Sequence, residues 1–331
     1  MPPKSPKPHA NFPDPAATIP GEADLLAAVL ADPGDDTARL AYADWLDEHD
    51  DPRGAHLRDT VTAFRRGAKL PRESRAWKAW TDLVGVDLMR SLWQNTPPTK
   101  FSQTVLGLAR PAVNFVAKRA AEAKIPVGAS KFGGGPDLPP GTAWPVFKGA
   151  PLAFVAQINL SELAVSPAAR ELPASGMFSV FCHFDPDGGN DDFPKGSWKL
   201  FHFPDVSRLT RNLPPEVSFN PCRLAFTEGL TVPDPDSPWN KTIGFGHDDD
   251  AEDMYREAIV GPVGGHQLLG YPAPIQGDVL GKKSVRHLLT IDADDKTDWS
   301  WVDGGSLYFL IDAADLKAHR FDRIRLEMQC C

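Results

Sequence analysis

From about residue 105 onward the chain is cut by proline and glycine into short apolar segments, and this punctuation constrains the fold more than anything else in the sequence. Segments of about five to eight residues are long enough for a strand but too short for a stable helix. Leu152, Phe154, Ala156, Ile158 and Leu160 alternate along one of them and place Gln157 and Asn159 on the opposite face. Segments 177–184, 198–203, 287–291 and 306–311 are further predicted strands. Over 321–330, Ile324, Leu326 and Met328 point inward and Arg323, Arg325 and Glu327 outward, the pattern of a half-solvated antiparallel strand. Short strands between turns predict a β-rich, mainly antiparallel region within an α+β chain.

The N-terminal third reads differently. Residues 1–20 hold seven prolines and little apolar material, so a disordered tail is expected there. Residues 21–94 carry helical periodicity. Leu25, Leu26, Val29 and Leu30 mark a first helix ending at Asp32-Pro33-Gly34, and Asp35 or Asp36 caps a second whose stripe is Ala38, Ala41, Tyr42 and Trp45. Between Glu22 and Asp51 stand ten acidic residues and one basic one, and between Pro52 and Lys78 eight basic residues and two acidic ones. Either the basic helix docks an acidic partner or it screens the acidic hairpin beside it. Trp77, Trp80 and Val84 continue a packing stripe. Pro97-Pro98 marks the boundary, with a linker at 95–104 and the β-rich domain at 105–331. A chain of 331 residues accommodates two such units.

Part of the β-rich region repeats itself. Phe132 to Pro136, followed by the strand at Leu152 and by G-M-F-S-V-F, echoes Leu269 to Pro272, followed by the 287–291 strand and by G-S-L-Y-F-L. This predicts two pseudo-repeated halves around a shared cleft.

Four ordered motifs carry a family resemblance. They are Lys131-Phe132-Gly133-Gly134-Gly135-Pro136-Asp137-Leu138-Pro139 with Trp144-Pro145 and the 154–160 strand; Gly196-Ser197-Trp198-Lys199-Leu200 with Phe203-Pro204; HQLLGYPAPIQGD from His266 to Asp278; and Gly304-Gly305-Ser306-Leu307-Tyr308-Phe309 with Gln329. The succession resembles the YwqG-like family over roughly residues 105–331. The resemblance implies a complex sheet folded into a pseudo-barrel, no established catalytic activity, and an immunity- or adaptor-like role. The helical hairpin, with Asp44-Trp45-Leu46-Asp47-Glu48 and Asp51-Pro52-Arg53-Gly54, resembles the bacterial repeat-companion domain, which has no assigned function.

Chemistry-bearing residues are few. Gln157, Asn159 and Gln276 are amides whose burial is costly unless matched, either by a ligand or by unpaired backbone of neighbouring turns. His266, inside a motif, is the strongest candidate for acid–base work with a nearby carboxylate, as in a hydrolase; the alternative is a histidine that holds a turn. Gly133, Gly134 and Gly135 lack a phosphate-loop context and read as a tight turn or close backbone approach. The acidic run 185–192 reads as a hydrated hairpin loop rather than a calcium site, and the acids from Asp248 to Asp253 as the first turn of a helix through Met254 and Tyr255. No metal site and no cofactor are expected. Cys182, Cys222, Cys330 and Cys331 are too few for a disulfide framework, and the terminal pair reads as one core-facing thiol and one exposed end rather than a lipidated or redox pair. A net charge of −9 argues against nucleic acid or anionic membrane as partner. With neither a signal-like nor a membrane-spanning segment, a cytoplasmic protein that binds a protein segment or small ligand is the expectation.

Overall fold

The computed structural model describes residues 19–72, 75–95, 100–183, 193–215, 219–245, 248–261, 264–302 and 304–330. Most of the expected tail, the acidic run 185–192, His247 and Cys331 lie outside these residues. Six α-helices come first: α1 (Glu22–Ala31), α2 (Asp36–Glu48), α3 (Arg53–Arg66), α4 (Lys78–Leu83), α5 (Val86–Asn95) and α6 (Lys100–Leu108). Asp35 caps α2 by accepting the Thr37 amide at 2.8 Å. The buried face of α2 is Arg39, Tyr42, Ala43 and Leu46, so the expected stripe is rotated by about one position. Arg39 is the reason: its guanidinium is drawn inside to donate to Val84 O at 2.9 Å and Pro33 O at 2.5 Å, which leaves Ala41 exposed.

The two blocks of opposite charge answer each other. Arg58 of α3 pairs with Asp44 and Asp47 of α2, Arg65 with Asp36, and Arg53 with Glu22 and Asp51. Trp80 donates its indole N–H to the Tyr42 hydroxyl at 3.0 Å, as a packing residue does. α6 covers the second part of the expected linker. Phe101, Val105, Leu106 and Leu108 lie on one helical face against the apolar cluster of the preceding helices, so 100–108 is helix and the first strand begins at Arg110.

The strands are β1 (Arg110–Arg119), β2 (Lys131–Phe132), β3 (Asp137–Leu138), β4 (Val146–Phe147), β5 (Ala150–Pro151), β6 (Ala153–Asn159), β7 (Met177–Cys182), β8 (Trp198–Phe203), β9 (Thr210–Arg211), β10 (Cys222–Thr231), β11 (His266–Leu269), β12 (Val285–Asp292), β13 (Ser306–Asp312) and β14 (Arg325–Gln329). Ten of them form one curled antiparallel sheet in the order β14-β13-β12-β11-β1-β10-β2-β6-β7-β8. The curl brings the two ends together: Trp198 of β8 packs on Phe309 of β13 at 5.8 Å, and Phe178 of β7 on Phe321, just before β14, at 4.7 Å. The result is the α+β, pseudo-barrel architecture expected from the punctuation and the motifs.

The sheet order is a palindrome of two halves. Each contributes a ten-residue strand (β1, β10), a short strand (β2, β11) and a three-stranded meander (β6-β7-β8, β12-β13-β14). The long strands are exchanged: β1 pairs with β11 of the second half and β10 with β2 of the first. They pair with each other about Val116 and Ala225, where the pseudo-twofold axis passes. The same register shift recurs at the same place, between Phe154 and Ala156 in β6 and between His287 and Leu289 in β12. Left-handed backbone recurs too, at Gly128, Gly133 and Gly134 (φ 84°, 57°, 66°) and at Gly264, Leu269 and Gly270 (φ 90°, 60°, 69°), with Pro136 and Pro272 following at matching distances. Even the clamps on the long inter-strand loops correspond. Arg119 donates to Asp295 O and Lys296 O, whereas Glu228 accepts from Ser166 Oγ and Ala168 N. The internal echo is therefore structural, and what the halves share is a continuous sheet rather than a cleft.

The bulge corrects the simple alternation expected at 152–160. Leu152 and Phe154 join a small cluster with Leu138 and Phe181, while Val155, Ala156 and Ile158 enter the large core that spans both halves. Both faces of this strand are covered. On the second half, Val285, Tyr308 and Leu310 belong to one apolar cluster with the N-terminal helices and with Trp239, Tyr271, Val279 and Leu280. Over 321–330 the expected pattern holds: Ile324 is buried, Leu326 and Met328 pack against the core, and Arg323, Arg325 and Glu327 are exposed.

Candidate functional site

Three of the four side chains nominated from sequence are tied into the chain itself. Gln157 is fully buried. Its Oε1 accepts Asp137 N at 2.8 Å, and its Nε2 donates to Ala129 O at 2.8 Å and to Asp137 Oδ2 at 2.7 Å. Asp137 is in turn held by Arg211 and by the Gly128 amide, which keep its carboxyl below the ordinary range against the opposing effect of burial. Asn159 donates to Gly128 O at 2.7 Å and caps the Ser161 amide at 3.0 Å. These two amides lie together and fasten the 128–137 turn. The glycine run fits the same account: a Cβ on Gly133 would lie 2.5 Å from Asn220 O and 2.8 Å from Phe219 O.

His266 stands in the other half, on β11. Its Nδ1 accepts the Asp292 amide at 3.1 Å, which leaves Nε2 as the protonated nitrogen facing Asp294 Oδ2 at 3.2 Å. The expected histidine–carboxylate pair is present, but both ring nitrogens are engaged and the ring packs against Phe115 and Phe132. Gln276 has an exposed side chain, and it is Gln329 that holds this turn, accepting the Ile275 and Gln276 amides at 2.8 and 2.9 Å and donating to Gly277 O. The four residues therefore do not converge on one pocket. Neither Cys182 nor Cys222 is an activated nucleophile: burial raises Cys182 far above its ordinary value and pushes Cys222 up to about 11.

A cavity of about 550 Å³ lies instead where the helices meet the sheet. Ala27 and Leu30 of α1 form one wall. Gly107 and Leu108 at the end of α6, Pro111, and Pro167 with Ala168 extend it. Three arginines enter this space. Arg110, the first residue of β1, holds its guanidinium carbon 4.4 Å from the Tyr271 ring centre and 5.0 Å from that of Trp239. Arg286 of β12 donates from Nη2 to Glu171 Oε1 at 2.6 Å. Arg170 donates to Ala23 O at 3.1 Å, with Asp24 3.8 Å away. Two donors in this cluster are buried without a hydrogen-bond partner, Arg110 Nη1 and Arg286 Nε. Burial and the repulsion of Arg286 lower the affinity of Arg110 for its proton.

Sequence reasoning passed over these residues. Tyr271 sits inside the HQLLGYPAP motif, and Arg286 is a cation near the start of a largely buried strand, which is the one signal the sequence carried. Arg110 and Trp239 gave no comparable signal, because their proximity comes only from the fold.

The chain belongs to the family described as Domain of unknown function (DUF1963), whose model matches residues 130–330. That span includes every strand of the large sheet except β1, and it includes Trp239, Tyr271 and Arg286. It excludes Arg110, α1 and α6, so the cavity is built jointly by the family domain and the segment before it. No curated protein matches the chain. No helix among the described residues is long and apolar enough to cross a membrane.

Proposed function

We propose that the chain is a binding module, and that the cavity between helices and sheet receives an anionic group of its ligand. Arg110 carries the reading: a guanidinium packed against two adjoining aromatic rings, repelled by a second guanidinium, with a buried N–H that no described residue accepts. Burying such a group unpaired costs free energy, and an anion in the cavity offsets that cost. The motif order supports placing the domain in the YwqG-like group. The acidic hairpin supports taking residues 21–94 as a repeat-companion module beside a domain at 105–331. On this reading the module has a defined task, to close one wall of the cavity with α1. An adaptor-like role, with the anion supplied by a protein segment, belongs to the same proposal.

The runner-up is a hydrolase built on His266 and Asp294. It has less support, because each nitrogen of the ring already has a partner and the cavity lies at other residues. Native mass spectrometry of the protein and of Arg110→Gln, both purified gently from lysate, tests the leading reading. A bound mass retained by the parent and lost from the folded variant is the expected result. Equal retention by both would overturn it.

A further inference from the structure

We infer that the group bound in this cavity is the carboxylate of a ligand with an apolar body, held by the guanidinium groups of Arg110 and Arg286. The inference rests on the anion-binding reading above and narrows it to a chemical class. Charge is the first argument. Among the described lining residues three arginines face two carboxylates, which leaves a single positive charge in excess. The existing pairs show where that excess sits. Arg286 is joined to Glu171, Arg170 lies near Asp24, and Asp32 caps the Gly34 amide within the field of Arg39. Arg110 packs on aromatic faces and has no ion pair among the described residues, with Glu171 acting on it only at longer range. One uncompensated guanidinium matches a monoanion, whereas a phosphate monoester brings about two charges and is repelled by Glu171 about twice as strongly.

Geometry is the second argument. Two guanidinium groups line the cavity from different strands, Arg110 of β1 and Arg286 of β12, and a carboxylate has two oxygens, one for each. The third is the wall itself. Ala27, Leu30, Leu108, Pro111 and Ala168 give the remaining surface an apolar character that suits an aliphatic or aromatic body. A cavity of about 550 Å³ is far larger than a carboxylate alone requires. Either a free organic acid or an acidic side chain beside an apolar residue of a protein segment supplies this chemistry.

Isothermal titration of the full chain with octanoate, octyl phosphate, octan-1-ol and a capped Phe-Glu dipeptide tests the assignment. Octanoate or the dipeptide is expected to bind best, and whichever is tighter identifies the source of the carboxylate. Arg110→Gln is expected to weaken that binding by about tenfold or more, the usual loss for a hydrogen bond to a charged group. Arg325→Gln, an exposed change on β14, is expected to leave it unchanged. Should Arg110→Gln lose its near-ultraviolet circular dichroism, Arg286→Gln provides the same comparison. Tighter Arg110-dependent binding of octyl phosphate would overturn the carboxylate while leaving the anion site standing. Equal binding of octan-1-ol, or no binding by any probe, would overturn both.

Discussion

Replacing Gln157 by leucine separates the two roles open to a buried amide, a tether of the fold and a contact held for a ligand. Leucine fills nearly the same volume, so little of the effect comes from a cavity. What is lost is the pairing of Asp137 N and Ala129 O, two buried backbone groups that Gln157 satisfies at 2.8 Å each. Asp137 Oδ2 keeps the Gly128 amide and Arg211, so its loss is small. Each orphaned backbone group costs about 1–3 kcal/mol, and removing the desolvated amide recovers a part of the total. The expected net destabilisation is about 2–4 kcal/mol. For a chain of this size that corresponds to a melting point lower by roughly 4–8 °C. Urea unfolding followed by tryptophan fluorescence reads the midpoint, with melting as the second measure. A loss below about 0.5 kcal/mol would refute the tethering argument. It would mean that the three bonds are dispensable to the fold and that Gln157 is free to serve a ligand.

Gly133→Ala is expected to destabilise by about 2–4 kcal/mol in the same assay, since it adds a left-handed alanine to a collision with the Asn220 and Phe219 carbonyls. His287 is fully buried, and burial lowers its pKa from 6.5 to about 4. The unfolded chain therefore binds the extra proton first, and stability falls by roughly 3 kcal/mol as pH drops through that window; unfolding measured at pH 7 and 4.5 should show a smaller fall in His287→Asn. Burial raises Glu228 above the ordinary carboxylate value of 4.5, against the opposing bonds from Ser166 and Ala168. Its contribution to stability is thus largest at low pH and declines as pH rises through the folded value, so Glu228→Gln is expected to be the more stable form at pH 8 and to flatten the decline.

Strand positions were legible wherever one face is wet, as at 321–330, where Arg325 and Glu327 alternate with core residues. They were less legible at 152–160, because both faces are covered and the bulge after Phe154 shifts the alternation. The helix at 100–108 was hidden behind Pro97-Pro98, whose turn signal is local and says nothing of the residues that follow. The repeat was readable as an echo of turn residues, since left-handed backbone selects glycine; Leu269 adopts that conformation without being glycine and so blurred the match. Gln157 and Asn159 stood out as amides in an apolar strand and His266 as part of a motif, but a sequence does not show which partner answers a buried donor. The arginine cavity was invisible for a related reason. Arg110 and Arg286 are 176 positions apart and meet only once β1 has crossed into the second half of the sheet.

That crossing has a consequence for how the chain can be divided. A fragment cut at the start of the family span, near residue 130, would leave β11 without β1 and expose the free side of β10, two raw edges in the middle of the sheet rather than at its rim. During synthesis the first half faces the mirror situation, because β1 emerges about 110 residues before its partner β10 and about 150 before its partner β11. Until then its unpaired backbone has only solvent, a chaperone or another nascent copy to bond with. The exchanged strands act as a latch that neither half can close alone, so the boundary of the folding unit lies upstream of the boundary of sequence kinship.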